Sequence, residues 1–379
     1  MRKLIISTVG TSLITNRLKQ EEKDWSDRLS RAANFSDDKT RETHPDVWEM
    51  LQVLQARAKE KLKGEVSQIR AASAELNGIY GLYQEQLEQG KQDMHFLIAT
   101  DTAQGQGTAN AVKSFLQSKG LLVDIFTPEG LSTASTESFA SGIDRLLEWM
   151  ESTIPDYQNS GYKVCFNLVG GFKSLQGYLN TIGMFYADEI IYIFEGSSEL
   201  ITIPRLPIAL DDSIIQTIIK PYAVEFALMA QNSEVSRSKL PNVPETLIFV
   251  VDAEVTLSNW GRLIWNRCKE QLLSKKLLEF PKIRYEPSFL KDYENIKSNA
   301  ERVKLQETLA KVSHLLIKSN GNISALKQDG GLLYSVLKNT DNVGHFRVNL
   351  ELRVSCKAIE GHLVLRHYGE HDYGNEQHK

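Results

Sequence analysis

Cysteine is scarce in this chain. Its three cysteines, Cys165, Cys268 and Cys356, are widely spaced and include no CxxC pair. That spacing argues against a disulfide framework and a structural zinc site, and it suits a reducing cytosol. Long apolar runs are missing too. None approaches the ~20 residues that cross a bilayer, and the opening Met-Arg-Lys with a short apolar run broken at Gly10 is too brief for a signal peptide. A cytoplasmic protein without membrane contact is expected. Also absent is a complete dinucleotide fingerprint. Gly105-Gln-Gly107 has no third glycine at its spacing, and no acidic residue lies about 20 positions on at the end of the next strand. This disfavours a nicotinamide-dependent enzyme.

The 379 residues exceed one typical domain, so two or three are expected. The net charge of −4 is unevenly spread. From Pro281 onward there are 15 Lys and Arg against 12 Asp and Glu, leaving 29 against 36 before it. Six of the eight histidines also fall in that last segment. A basic, histidine-rich end on an acidic body suits RNA, although a solvated surface explains it nearly as well.

The chain is organised around residues 163–174 (KVCFNLVGGFKS). Val164, Phe166, Leu168 and Val169 supply a buried strand. Gly170 and Gly171 permit a sharp turn and close approach to a ligand. A helix then opens at Ser174 and carries Leu175, Leu179, Ile182 and Tyr186 at helical spacing. The first turn of such a helix seats phosphate, and Lys173 adds a mobile charge. Two earlier turns share the pattern. Residues 4–9 form a strand that ends at Gly10, Thr11 and Ser12, and residues 95–100 form one that ends at Thr100, Asp101 and Thr102. Further strands are expected at 121–126, 189–194 and 200–203. Alternating strands and helices imply a mostly parallel sheet, with these loops together at its C-terminal edge. They read as a site for a nucleotide or polyanion. Plain helix caps are the bland alternative. Between about 17 and 90 the chain is charged and helical, longer than a simple crossover requires, with a break expected at Asn77-Gly78.

On these residues the first 210 positions resemble the CARF sensor domains of CRISPR-associated proteins. The motifs are the strand-Gly-Thr-Ser start, NLVGGFK at 167–173, YIFEGSSE at 192–199 and IPRLP at 203–207. The resemblance implies a Rossmann-like fold, a homodimer about a two-fold axis, and a cyclic oligoadenylate at the interface. Gly10, Thr11 and Ser12 would supply the first ligand loop, Gly170, Gly171 and Lys173 the second, and Thr100 and Asp101 a variable middle one. Cyclic tetra-adenylate is the expected allosteric activator. The sequence does not itself show ring size. The sensor could also cleave its own ligand slowly, with Ser12 or Lys173 taking part.

Residues 211–280 read as a linker or connector. A helix is expected over 214–231, limited or kinked by Pro221. It is followed by a polar stretch from Ser233 to Pro244, a strand at 246–251 and a helix at 260–277. A DNA-binding module here would make the chain a ligand-responsive transcription regulator without nuclease activity. The region carries no clear helix-turn-helix signature.

From 281 to 379 a strand, two helices and three strands at 345–350, 352–359 and 362–368 are expected, with a tight turn at Glu360-Gly361. Alternation puts Arg347 and Asn349 on one face, with Arg353, His371 and Tyr373 close by. Two guanidiniums, an imidazole and a phenol suit metal-free cleavage of an RNA phosphodiester by its own 2′-OH. The arginines would stabilise the transition-state charge and His371 would move a proton. Singly, each residue reads as an ordinary surface group. This segment resembles the RelE superfamily of mRNA-cleaving toxins, through residues 346–350 (FRVNL), 352–356 (LRVSC) and 368–373 (YGEHDY). Asn349 and Tyr373 depart from the pattern of some members. The resemblance implies an α+β toxin domain that cuts mRNA on the ribosome. The whole then reads as an α/β chain, a CARF sensor fused to a RelE-like endoribonuclease, acting in type III CRISPR defence without a cofactor.

Overall fold

The computed structural model describes residues 1–194, 199–207, 209, 211–337 and 342–370. The chain divides into two compact units, Met1–Ala209 and Leu210–Lys379.

The first unit is built on six strands: β1 (Lys3–Thr8), β2 (Met94–Ile98), β3 (Leu122–Phe126), β4 (Lys163–Asn167), β5 (Glu189–Ile193) and β6 (Leu200–Pro204). Their order is β3-β2-β1-β4-β5-β6. The first five run parallel, and β6 is antiparallel to β5. Strand order reverses at β1 and β4, which lie side by side with Leu4 opposite Val164 and Ser7 opposite Asn167. Such a reversal opens a crevice at the C-terminal strand ends. Leu4, Ile5, Ile6, Val164 and Phe166 are fully buried. These are near-continuous apolar strands, as a sheet covered on both faces requires.

The segment between β1 and β2 is helical, as its composition suggests. Asn77-Gly78 does not break it. The interruption falls at Ser73, which caps the helix Ala74–Leu82 by accepting from Leu76 N–H. Gly78 lies inside that helix because a Cβ there would stand 2.1 Å from Asn167 Oδ1. The glycine allows close packing on β4. Gly105 and Gly107 are similar: both lie within the helix Ala103–Ser118, and a Cβ would meet Thr100 Oγ1 or Gln55 Nε2.

A polar network ties the start of β2 to β1. His95 Nε2 lies 3.0 Å from Tyr83 Oη, which donates to Asp93 Oδ2 at 2.8 Å. Asp93 Oδ1 in turn accepts from Lys3 N–H. With Nε2 as donor, Nδ1 is buried without a partner among the described residues. Burial holds this imidazole down to about 3, against 6.5 for a free histidine. The folded state therefore binds fewer protons than the unfolded chain between those values, so stability is complete above pH 6.5 and falls as pH drops toward 3. The loss between pH 6.5 and 5 should be about 2 kcal/mol. Urea unfolding at pH 7 and pH 5 should show a smaller acid loss for His95→Gln than for wild type.

In the second unit a five-stranded sheet contains β10 (Ile283–Tyr285), β11 (Ser335–Val336), β12 (Val343–Arg347), β13 (Leu352–Ile359) and β14 (His362–Glu370), ordered β10-β14-β13-β12-β11. β10 runs parallel to β14, and the remaining pairs are antiparallel. Glu360 and Gly361 both have positive φ, 51° and 72°, and join Ile359 to its partner His362 in a two-residue turn. This geometry matches the right-handed twist of the strands it connects. A three-stranded sheet ordered β7-β9-β8 precedes it, from β7 (Val235–Ser236), β8 (Ile248–Val251) and β9 (Glu254–Leu257).

Residues 211–280 are not a separate connector. Ile215, Phe226, Trp265 and Leu272 share one hydrophobic core with Phe289, Leu309, Phe346 and Val354. The polar segment expected as linker carries β7, whose Val235 is also buried in that core. The helix expected over 214–231 is broken by Pro221: a widened turn at Ile215–Ile219 and a tight one at Lys220–Tyr222 precede the helix Ala223–Met229. Proline cannot donate its missing N–H, and the backbone accommodates this by changing pitch. Among the described residues no helix is long and apolar enough to cross a membrane.

Candidate functional site

Two groups of residues carry chemistry, one in each unit. In the first unit, parallel strands bring Gly10–Ser12, Thr100–Asp101 and Gly170–Lys173 to one edge of the sheet. The first and last of these loops touch: a Cβ on Gly10 would lie 3.2 Å from Gly171 N. Gly171 has φ +93°, and a Cβ there would stand 2.9 Å from Thr8 Cβ. Side chains brace the turn. Thr8 Oγ1 and Gln176 Nε2 both donate to Gly170 O, and Asn167 Nδ2 donates to Ser7 Oγ and Glu75 O.

The helix after this turn, Lys173–Tyr186, begins one residue before Ser174. Its N-cap is Phe172, which makes no side-chain cap. First-turn N–H groups without a side-chain acceptor suit an anion. Lys173 and Ser174 are exposed beside them, while Thr11 and Ser12 are half-buried.

Glu75 is the residue that sequence reasoning missed. It is 1% exposed. Its Oε1 accepts from Gly10 N–H and its Oε2 from Ser73 Oγ. A Cβ on Gly170 would lie 2.5 Å from that same Oε1. Desolvation pushes the carboxyl above its ordinary value, and the bonds from Ser73 and Gly10 oppose the shift. Thus Gly10 N–H is already used within the protein, and Gly10 serves loop closure rather than offering a donor. Ser73 announces a helix start, but nothing local says where the carboxylate two residues on will go. Asp101 is likewise committed, through Gly130 N–H at 3.0 Å and Gln106 Nε2 at 3.2 Å. Thr100 Oγ1 pairs with Thr102 Oγ1, the N-cap of the next helix.

In the second unit, Arg347 and Arg353 are direct cross-strand partners. Side chains so placed share a face, with Cβ atoms about 5 Å apart, and like charges there repel. Arg347 Nε and Arg353 Nη1 are buried without a hydrogen-bond partner among the described residues. Desolvation lowers the Arg353 pKa, and the charge of Arg347 lowers it further. A fold that sets two cations side by side with unspent donors is arranged to receive an anion.

Alternation places His345, Ser355 and His367 on the same face, one rung along, since His345 pairs with Ser355 and Ser355 with His367. The opposite face, with Phe346, Val354, Cys356, Leu365 and Tyr368, is buried in the core. Arg366 is the extra residue where the register shifts between Ser355 and Cys356.

Asn349 departs from its expected place. β12 ends at Arg347, and Asn349 Oδ1 accepts from the N–H groups of Glu351 and Leu352 at 2.9 and 2.8 Å. Its carboxamide oxygen shapes the turn into β13, because asparagine satisfies backbone donors two residues on. His371 and Tyr373 lie outside the described residues. A groove of about 570 Å³ lined by Lys275, Tyr285, Tyr293 and Arg302 shares no residue with the arginine face.

A family model described as CRISPR-associated protein (Cas_APE2256) matches residues 70–206. The match takes in Glu75, Thr100, Asp101 and the 170–173 turn. It excludes Gly10–Ser12 and the whole second unit. Over that part the chain is similar to CRISPR-associated proteins.

Proposed function

We propose that the chain is a ligand-activated endoribonuclease of type III CRISPR defence, in which a cyclic oligoadenylate, the tetra-adenylate ring first, bound by the first unit switches on mRNA cleavage by the second. The observation that carries the nuclease half is the Arg347–Arg353 pair, whose buried N–H groups lack partners among the described residues. Their guanidiniums would grip the scissile phosphate and stabilise the extra charge of its five-coordinate transition state. The RNA supplies its own nucleophile, the 2′-OH, so no cofactor is required.

The sensor half rests on the CRISPR-associated match and on the 170–173 turn with its uncapped helix start. A ring of adenylates has symmetric phosphates, and two copies of one turn related by a two-fold axis would meet them equivalently. Homodimerisation through the first unit is therefore part of the reading, as are the RelE-like character of the second unit and cleavage on the ribosome. To act as a switch the ligand must favour one arrangement over the other by a few kcal/mol.

The test is mRNA cleavage in a reconstituted translation mix, with and without cyclic tetra-adenylate, beside the same RNA without ribosomes. Cleavage that needs ribosomes and that the ligand raises well above a low ligand-free level is expected. Ligand-dependent cutting of free RNA would remove the ribosome from the reading, and no cutting with ligand demonstrably bound would remove the nuclease. Lys173→Glu should abolish stimulation and weaken ligand binding by about tenfold or more, while leaving ligand-free cleavage at its wild-type level. Equilibrium binding of labelled tetra-adenylate checks this. Binding within twofold of wild type would take Lys173 out of the site.

A further inference from the structure

The proton transfers of the proposed cleavage have candidate groups on the arginine face. We infer that His367 is the general base and His345 the general acid, an assignment that rests on the ribonuclease reading above.

His345, Ser355 and His367 occupy one rung across β12, β13 and β14. Two strand spacings separate the histidine backbones, about 10 Å. Ser355 stands between them on the same face, so a phosphate over this rung would have one imidazole on either side. The Arg347–Arg353 rung lies two residues along the same face, within reach of the same phosphate. Ser355 between the histidines is small and 3% exposed, with its Oγ accepting from His367 N–H at 3.2 Å.

The two rings are held differently. His367 Nδ1 lies 3.2 Å from Asp292 Oδ2, and both side chains are largely buried, 16% and 13% exposed. The same carboxylate oxygen accepts from Tyr368 N–H at 3.0 Å, which fixes it in place. A carboxylate on Nδ1–H orients the ring, leaves Nε2 as the basic nitrogen and stabilises the imidazolium that forms. Asp292 is thus a positioning residue. His345 instead has Nε2 at 2.9 Å from Ser335 Oγ on the neighbouring strand.

The step balances without any further reactant. His367 Nε2 takes the proton of the 2′-OH as that oxygen bonds to phosphorus. The bond from phosphorus to the 5′ oxygen breaks, and that oxygen takes a proton from His345. The products are a 2′,3′-cyclic phosphate and a free 5′-OH. Water exchange then returns each histidine to its starting state.

The test uses the full chain with tetra-adenylate and ribosomes, and compares a short mRNA with the same mRNA carrying a 5′-bridging sulfur at the cleavage site. Sulfur leaves without a proton. His367→Gln should cleave both substrates at least about 100-fold more slowly than wild type, and His345→Gln should be slowed as much on oxygen but recover to within about tenfold on sulfur. His371→Gln, made in parallel, should fall less than either on oxygen. Unchanged melting temperatures separate these effects from misfolding. Cleavage by both rung variants within threefold of wild type, or loss confined to His371→Gln, would overturn the assignment while leaving the ribonuclease standing. Failure of wild type to cut either RNA would take down the ribonuclease reading and this assignment with it.

Discussion

Arg353→Ala should lower RNA cleavage by about 100- to 1,000-fold without lowering the stability of the fold. The two halves of that expectation come from one geometry. Arg353 stands directly across from Arg347, so in the free protein each raises the cost of the other. Arg353 Nη1 has no hydrogen-bond partner among the described residues. Truncation therefore removes repulsion and an unspent buried donor, and stability should hold or rise by up to about 1 kcal/mol. Binding of tetra-adenylate should be unaffected. Cleavage rate, urea midpoint and ligand affinity measured on one preparation check all three. A variant that loses activity and several kcal/mol of stability together would show that Arg353 holds the sheet. A fully active variant would remove the pair from the chemistry.

Gly171→Ala carries the second large effect. At φ +93° an alanine is strained whatever surrounds it, and here its Cβ would also stand 2.9 Å from Thr8 Cβ. Thr8 cannot retreat freely, since its hydroxyl donates to Gly170 O and its backbone is part of β1. Strain and overpacking together should cost about 3 kcal/mol. The damage should fall on the first unit and reach the ligand, because the same turn precedes the exposed Lys173 and the uncapped helix start. Tetra-adenylate binding should be lost, while ligand-free RNA cleavage by the second unit persists at its wild-type level. Melting temperature and ligand binding measured together test this. A variant with wild-type melting and wild-type affinity would mean that the turn relaxes, and that its glycine is not needed. Gly177→Ala is the control, since nothing lies within 4 Å of a Cβ there and its φ is ordinary.

Much of the architecture was legible because it is local. Alternating apolar strands and amphipathic helices announce a parallel sheet, and glycines after strands announce the loops at its C-terminal edge. The helix Asn299–Lys318 buries Leu305, Leu309, Val312 and Leu316 at helical spacing, and the Glu360-Gly361 turn joins the strands expected on either side of it. Each of these depends on a few consecutive residues and the period of one element.

Tertiary structure decided what those elements do to one another. Glu75 beneath Gly10 and Gly170, and Asp101 drawn away to Gly130, follow from which loops meet, and no local pattern records that. Asn77-Gly78 looks like a helix stop because glycine is a weak helix former; the pressure of Asn167 against Gly78 explains why glycine is there. Asn349 shares parity with Arg347, yet the strand ends between them and its carboxamide turns to the backbone. The Arg347–Arg353 pairing and the His345–Ser355–His367 rung are matters of register across three strands, separated in sequence by turns and one bulge. Sequence periodicity sets the face on which a side chain lies. Only hydrogen bonding between strands sets its neighbour, and the proposed chemistry of the second unit depends on neighbours.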